Sequence, residues 1–186
     1  MTKKLIKIAA ILIALSFAAT ALYYYFPQPQ ESPQTELIQD FNEARDTQDI
    51  LDIFKEDRYW LLSSPNYSPE HMLSTRSPNK DDARYFGKLH IKVVREADKF
   101  VGFVAYYMKN FFIGTVLFLD VKPEFRGKGY AQKLMRYAID ELKKQGASII
   151  TLVTRSENYS AQAVYKKTGF VKTLEEDGFV YFDLRV

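Results

Sequence analysis

Two groups of residues in this chain have the types and spacing to do chemistry. The first is Arg126-Gly127-Lys128-Gly129-Tyr130-Ala131, set between an apolar run and a long helical pattern. Its two glycines let backbone N–H groups turn inward with no Cβ in the way. The helix that follows adds unpaired N–H donors and the positive end of its dipole. Such a corner holds a phosphate or diphosphate, and Arg126 and Lys128 add charge. It is not a P-loop, because no Gly-Lys-Ser/Thr is present, and Gln132 stands where a Rossmann fingerprint needs its third small residue. The second group is Asn158 and Tyr165, seven residues apart and so two turns along one helix face. A Tyr hydroxyl there could give a proton to a leaving group of similar pKa. Taken alone, a helix-capping Asn and a packed Tyr is the simpler reading.

The elements that must position these residues follow from periodicity. Leu89 to Arg95 alternates, with Leu89, Ile91 and Val93 on one face. Phe100 to Met108 is a longer apolar strand, and Gly114 to Val121 is so nearly continuous in apolar residues that burial on both faces is expected. Then the period changes. Ala131, Leu134, Met135, Ala138, Ile139 and Leu142 mark an amphipathic helix, with Gly146 at its end. Ser148 to Val153 reads as a strand, Ser160 to Thr168 as a short helix, and Val171 to Leu174 with Phe179 to Leu184 as a closing hairpin. Earlier, Glu36 to Asn42 reads as a short strand. Asp46 or Thr47 can cap a helix running to about Asp57, and Tyr59 to Leu62 extends its apolar surface. Ser63 to Arg84 is a Ser-, Pro- and Asn-rich loop region with one short helix around Pro69 to Leu73. The sum is one α/β (α+β) domain: a central mixed, mostly antiparallel sheet with flanking helices.

Composition removes several alternatives. With no cysteine there is no disulfide scaffold, thiolate zinc site or cysteine nucleophile, and His71 and His90 are too few for a multi-histidine metal site. The net charge of +3 comes entirely from Lys3, Lys4 and Lys7, and the remaining chain balances at zero. A neutral domain is a poor partner for nucleic acid, where phosphate neutralisation dominates binding.

The stretches VKPEFRGKGYAQKLM and ITLVTRSENYSAQAVYKKTGF resemble the GNAT superfamily of N-acetyltransferases. Arg126-x-x-Gly129-x-Ala131 is similar to that family's acyl-CoA loop. Asn158, Ala161, Tyr165, Lys167 and Gly169-Phe170 are similar to its second motif. The likeness covers 36–186, strongly over 114–170. It implies that acetyl-CoA lies in a V between the 114–121 and 148–153 strands. Backbone N–H groups of Arg126, Gly127, Lys128, Gly129, Tyr130 and Ala131 would hold its pyrophosphate. Leu119 and Val121 would offer backbone groups to the pantetheine arm, and Asn158 would bond to it. An amine would attack the thioester directly, a backbone N–H of the 114–121 strand would stabilise the oxyanion, and Tyr165 would protonate the thiolate. No metal is implied. The general base is the gap: Gly114 and Thr115 stand where many relatives carry a carboxylate. Asp120, Glu96, Glu157, Tyr106, Tyr107 and a water chain are the candidates, against the plainer reading of Asp120 as a strand-end carboxylate bonded to backbone or a lysine. Segments 55–90 are expected to contact the acceptor, a small molecule or a peptide or protein amine.

The first 27 residues stand apart. Ile8 to Phe26 carries no charge and nears the ~20 residues that span a bilayer as a helix. Residues 1–27 are therefore expected to be a membrane anchor or, given Ala19-Thr20-Ala21, a cleaved signal peptide. Residues 28–35 form a polar, Pro-rich linker and 36–186 the domain. The basic start predicts an outward-facing domain, which conflicts with a cytosolic acyl donor. A reversed topology removes the conflict; a tethered, catalytically silent binding module is the alternative.

Overall fold

The computed structural model describes residues 38–78 and 87–186. The expected anchor or signal peptide and the linker lie outside them. Among the described residues no helix is long and apolar enough to cross a membrane.

Seven strands form one mixed sheet in the order β1-β2-β3-β4-β5-β7-β6. They are β1 (Ile38–Asp40), β2 (His90–Glu96), β3 (Lys99–Met108), β4 (Ile113–Val121), β5 (Ile149–Arg155), β6 (Val171–Glu176) and β7 (Phe179–Arg185). All neighbours are antiparallel except β4 and β5. Helices α1 (Glu43–Glu56), α2 (Arg58–Leu61) and α3 (Pro69–Thr75) precede β2, α4 (Tyr130–Lys144) joins β4 to β5, and α5 (Tyr159–Lys167) precedes β6. A parallel pair needs such a crossover, and α4 supplies it.

Each half of the core sits on one sheet face. Leu134, Met135, Ala138, Ile139 and Leu142 of α4 pack with Val104, Tyr106, Val116 and Ile150. Ile50, Ile53 and Phe54 of α1 pack on the other face with Val93, Phe103 and Phe118. Every β3 residue after Lys99 is buried, and β4 also contributes to both halves of the core, Val116 and Val121 to one and Phe118 to the other, with half-buried residues between them. The C-terminal end of β4, Leu119 to Val121, borders the cleft described below. Tyr59 and Trp60 also depart from expectation, being 54% and 41% exposed.

Helix α1 starts earlier than its apolar spacing suggests. Asn42 is the cap, its side chain accepting from the Arg45 N–H. Asp46, expected as a cap, is fully buried. It accepts from the Asn42 N–H at 2.7 Å and from Arg95 of β2 at 2.7 and 2.9 Å. A buried carboxylate persists only with such partners, so this network fixes α1 against the sheet.

Tyr106 carries a buried hydroxyl with no hydrogen-bond partner among the described residues, stacked at 5.3 Å on His90. An unpaired buried hydroxyl costs about 1–3 kcal/mol. Tyr106→Phe is therefore expected to leave stability unchanged or raise it by up to that amount. A urea melt showing a loss above about 1 kcal/mol would mean that the hydroxyl is bonded.

Candidate active site

The site begins where the parallel pair ends. β4 and β5 pair only at Ile113, Gly114 and Thr115 with Ile149, Ile150 and Thr151. Beyond Thr115 the strands diverge, because β4 follows β3 up to Val121 while β5 follows β7 up to Arg155. A bulge puts Leu117 between the rungs Ala105–Phe118 and Tyr106–Val116, and a bulge bends and twists its strand. The edge of β4 from Val116 to Val121 that faces β5 is thereby left without a strand partner.

A cleft of about 660 Å³ occupies this gap. Leu119, Asp120, Val121, Arg126, Gly127, Gly129, Tyr130, Ala131, Asn158 and Tyr165 all line it, so ten of the residues read from sequence converge here. Lys128 does not; its ammonium lies 5.0 Å from the centre of the Phe125 ring. A smaller cavity of about 50 Å³, lined by Trp60, Leu61, Leu117, Val153 and Thr154 among others, shares Asp120, Asn158 and Tyr165 with the cleft. The cleft size is ordinary for small-molecule sites.

The loop at one end has the backbone geometry that an anion cradle requires. Gly127 and Gly129 have φ of +78° and +86°, and a Cβ at either would meet nothing within 4 Å. Those conformations turn successive N–H groups the same way. The Arg126 N–H is already bonded to the Pro123 carbonyl, and the first helical bond runs from the Lys133 N–H to the Gly129 carbonyl. The N–H groups of residues 127–132 have no acceptor among the described residues. These, with the start of α4, are the donors a diphosphate needs.

The side chain of Arg126 does not extend into that cradle. Its Nε donates to the Val121 carbonyl at 2.7 Å, and its Nη2 reaches Asp57 at 2.5 Å and Asp120 at 3.3 Å. Arg126 thus ties the C-terminus of α1 to the end of β4. Asp120 is pushed up to about 6, first by burial and then by the Asp57 charge, against the pull of Arg126. Its partner is an arginine shared with a second carboxylate, neither the backbone alone nor a lysine.

Asn158 caps α5, accepting from the Ala161 N–H at 3.1 Å, and lines the cleft as well. Tyr165, one side of the same helix, is buried against Phe170 and Phe182. Burial first, and then the nearby Asp120 charge, raise its phenol, opposed by a hydrogen bond with Thr154. Gly114 carries no carboxylate, and a Cβ there would stand 2.9 Å from Leu142 of α4. Thr115 is bonded to Thr151 across the parallel rungs at 3.2 Å.

Sequence spacing gave no warning of Asp57 or Trp60, which line the cleft from the α1–α2 corner. Arg155 of β5 holds α2 there by donating to the carbonyls of Tyr59 and Leu62 and stacking on the Tyr59 ring at 4.0 Å. The Tyr59 hydroxyl donates to Glu157 at 3.2 Å.

A splayed parallel pair, a glycine-rich turn with free N–H groups, a buried phenol and a carboxylate thus share one cleft. The chain belongs to the acetyltransferase (GNAT) family, whose model matches residues 47–170. Members of this family use acetyl-CoA. The chain is 36% identical over 59 residues to N-alpha-acetyltransferase 30 of Schizosaccharomyces pombe, covering 32% of this chain and 39% of that protein. It is 39% identical over 56 residues to the ribosomal protein bS18 alanine N-acetyltransferase of Haemophilus ducreyi, covering 30% and 39%. The chain thus spans about two fifths of the length of these curated relatives. Among solved structures, the PaiA N-acetyltransferase of Thermoplasma acidophilum in complex with coenzyme A is similar with a TM-score of 0.64, at 19% identity over 80% of this chain and 98% of that one. The ribosomal-protein-S18-alanine N-acetyltransferase of Escherichia coli is similar with a TM-score of 0.56, at 20% identity over 80% and 92%. These likenesses show the fold.

Proposed function

We propose that the chain transfers an acetyl group from acetyl-CoA to a primary amine by direct attack, with no covalent enzyme intermediate. The observation that carries this reading is the β4–β5 divergence at Thr115, which opens one cleft to both the free N–H run of residues 127–132 and the Asp120–Tyr165 pair. The residues fit acetyl-CoA: donors without acceptors at the loop, a β4 edge at Leu119 without a strand partner, and a cleft of mixed polar and apolar lining between. When bound, it supplies the activated acetyl group.

The chain's own groups then have separable tasks. N–H groups of Gly127 to Ala131 bind the diphosphate. Leu119 offers backbone groups to the pantetheine arm, whereas the Val121 carbonyl accepts from Arg126 and its N–H is bonded to Asp120; the Asn158 amide, whose oxygen is used in the cap, keeps its N–H groups for the same arm. Asp120 takes a proton from the acceptor amine, since a carboxylate near 6 is ionised at neutral pH yet more basic than an exposed one. Tyr165 stays protonated there and gives its proton to the departing sulfur. A β4 backbone N–H steadies the oxyanion.

For the acceptor, the α-amino group of a polypeptide is the class to test first, since the relatives named above acetylate a ribosomal-protein alanine or an α-amine by name. Trp60 and Glu157 at the cleft mouth would meet it first. The test is thiol release from acetyl-CoA in the presence of Ala- and Ser-initiated peptides, free lysine and a polyamine. Acetylated product with at least one amine is expected. Acetyl-CoA binding without release for any amine would favour the silent binding module.

A further inference from the structure

Three charged groups meet at the base of the cleft, and they are not equally matched. Arg126 Nη2 lies 2.5 Å from Asp57 Oδ2 but 3.3 Å from Asp120 Oδ1. The first is a tight charge-assisted hydrogen bond; the second is at the limit of one. Both carboxylates are mostly covered, with side-chain exposures of 15% and 11%, so water screens neither well. The Arg126 Nε is spent on the Val121 carbonyl, which fixes where the fork can point. Asp57 itself is held as the shared corner of two helices: its N–H donates to the Ile53 carbonyl, and its own carbonyl accepts from the Trp60 and Leu61 N–H groups.

We infer that Asp57 is a positioning residue for the base: by drawing the Arg126 guanidinium to the α1–α2 corner, it keeps Asp120 from being fully neutralised and so preserves its basicity. The inference rests on the reading of Asp120 as the proton acceptor. The groups that face Asp120 are Asp57 from the α1–α2 corner, Arg126 from the loop before α4 and Tyr165 from α5, with Glu157 lining the same cleft from the β5–α5 turn. Tyr165 is neutral when protonated, so beyond burial, which acts first, the balance at Asp120 is set by Asp57 and by how Arg126 is divided. Asp120 alone against Arg126 would be an ordinary ion pair, ionised well below neutral and weak as a base. A second carboxylate changes that in two ways, by its own negative charge and by its larger share of the cation. The arrangement also ties the helix corner bearing Trp60 to the first residue of the phosphate loop.

The test is an isotope-edited carboxylate NMR titration of the full chain without ligand, with Asp120→Asn used to assign the Asp120 signal. Asp57→Asn is expected to lower the Asp120 midpoint by about one to two pH units. Asp57→Glu is expected to restore most of it. With an acceptor amine, the acid limb of kcat/KM should move down with the NMR midpoint, and turnover on the plateau should fall roughly three- to tenfold as the base weakens. A purely structural Asp57 would lower stability or activity and leave the midpoint where it was, which overturns the inference. A destabilised Asp57→Asn can be replaced by Arg126→Lys, whose single ammonium cannot hold both carboxylates and the Val121 carbonyl together; an unmoved Asp120 midpoint in that variant likewise overturns it. The underlying reading fails separately. An acid limb that persists in Asp120→Asn means Asp120 is not the base, even where its midpoint responds to Asp57.

Discussion

Gly129→Glu is expected to abolish acetyl-CoA binding in a calorimetric titration of the folded protein. Gly129 sits at φ +86° with open space where a Cβ would go, and it lines the cleft. The substitution therefore acts twice. It forces an L side chain into a left-handed conformation, costing about 1–2 kcal/mol of folding stability. It also places a carboxylate in the loop proposed to hold a diphosphate. Two like unit charges about 4 Å apart repel by about 4 kcal/mol at the effective dielectric of a protein surface, close to a thousandfold in Kd. Gly129→Ala separates the two effects. Its methyl group meets no neighbour, so it should bear the folding penalty while binding weakens less than about tenfold. Retained affinity in Gly129→Glu would mean that the free N–H groups of residues 127–132 are not the diphosphate site.

Tyr165→Phe should have its effect on turnover instead. The ring packs between Phe170 and Phe182 at 6.3 and 5.7 Å, and phenylalanine fills the same volume. Only the hydroxyl and its bond with Thr154 are lost. Turnover is expected to fall about 100-fold, the ordinary worth of a positioned general acid, with the Kd for acetyl-CoA within about twofold. The sign of the pH dependence follows from the two groups. Asp120 must be ionised to accept a proton, so activity should rise as pH passes upward through about 6. Tyr165 must be protonated to donate, and burial raises it, so no loss is expected on the alkaline side until well above neutral. Unchanged turnover in Tyr165→Phe would remove it as the acid and leave the sulfur to be protonated by water.

Wherever local rules were sufficient, this chain was legible before it was folded. The period change at Ala131 marked α4 because an amphipathic helix writes its buried face into the sequence at every third or fourth residue. Gly127, Gly129, Gly146 and Gly169 marked turns, and all four adopt positive φ. Asn158 and Tyr165 were readable as a pair because helix periodicity fixes which residues share a face. The resemblance to a family added roles to these positions without changing where they lie.

Tertiary structure decided what depends on contacts between distant segments. Nothing local states that β4 and β5 part after Thr115; that follows from each strand twisting with a different partner, β3 on one side and β7 on the other. The half-burial of Leu119 and Asp120 within an apolar run has the same cause, since both line the cleft that this divergence opens. Asp46 looked like a cap because Asp favours caps, yet Arg95, 49 residues away, gives it a buried partner. Arg126 looked like a phosphate ligand by its place in the loop. Its guanidinium is instead taken by Asp57, 69 residues earlier in the chain. Spacing determines faces and turns, since these depend on backbone geometry alone. The charge state of Asp120 depends on which cation the fold brings to it and how that cation is shared, and only the folded chain determines that.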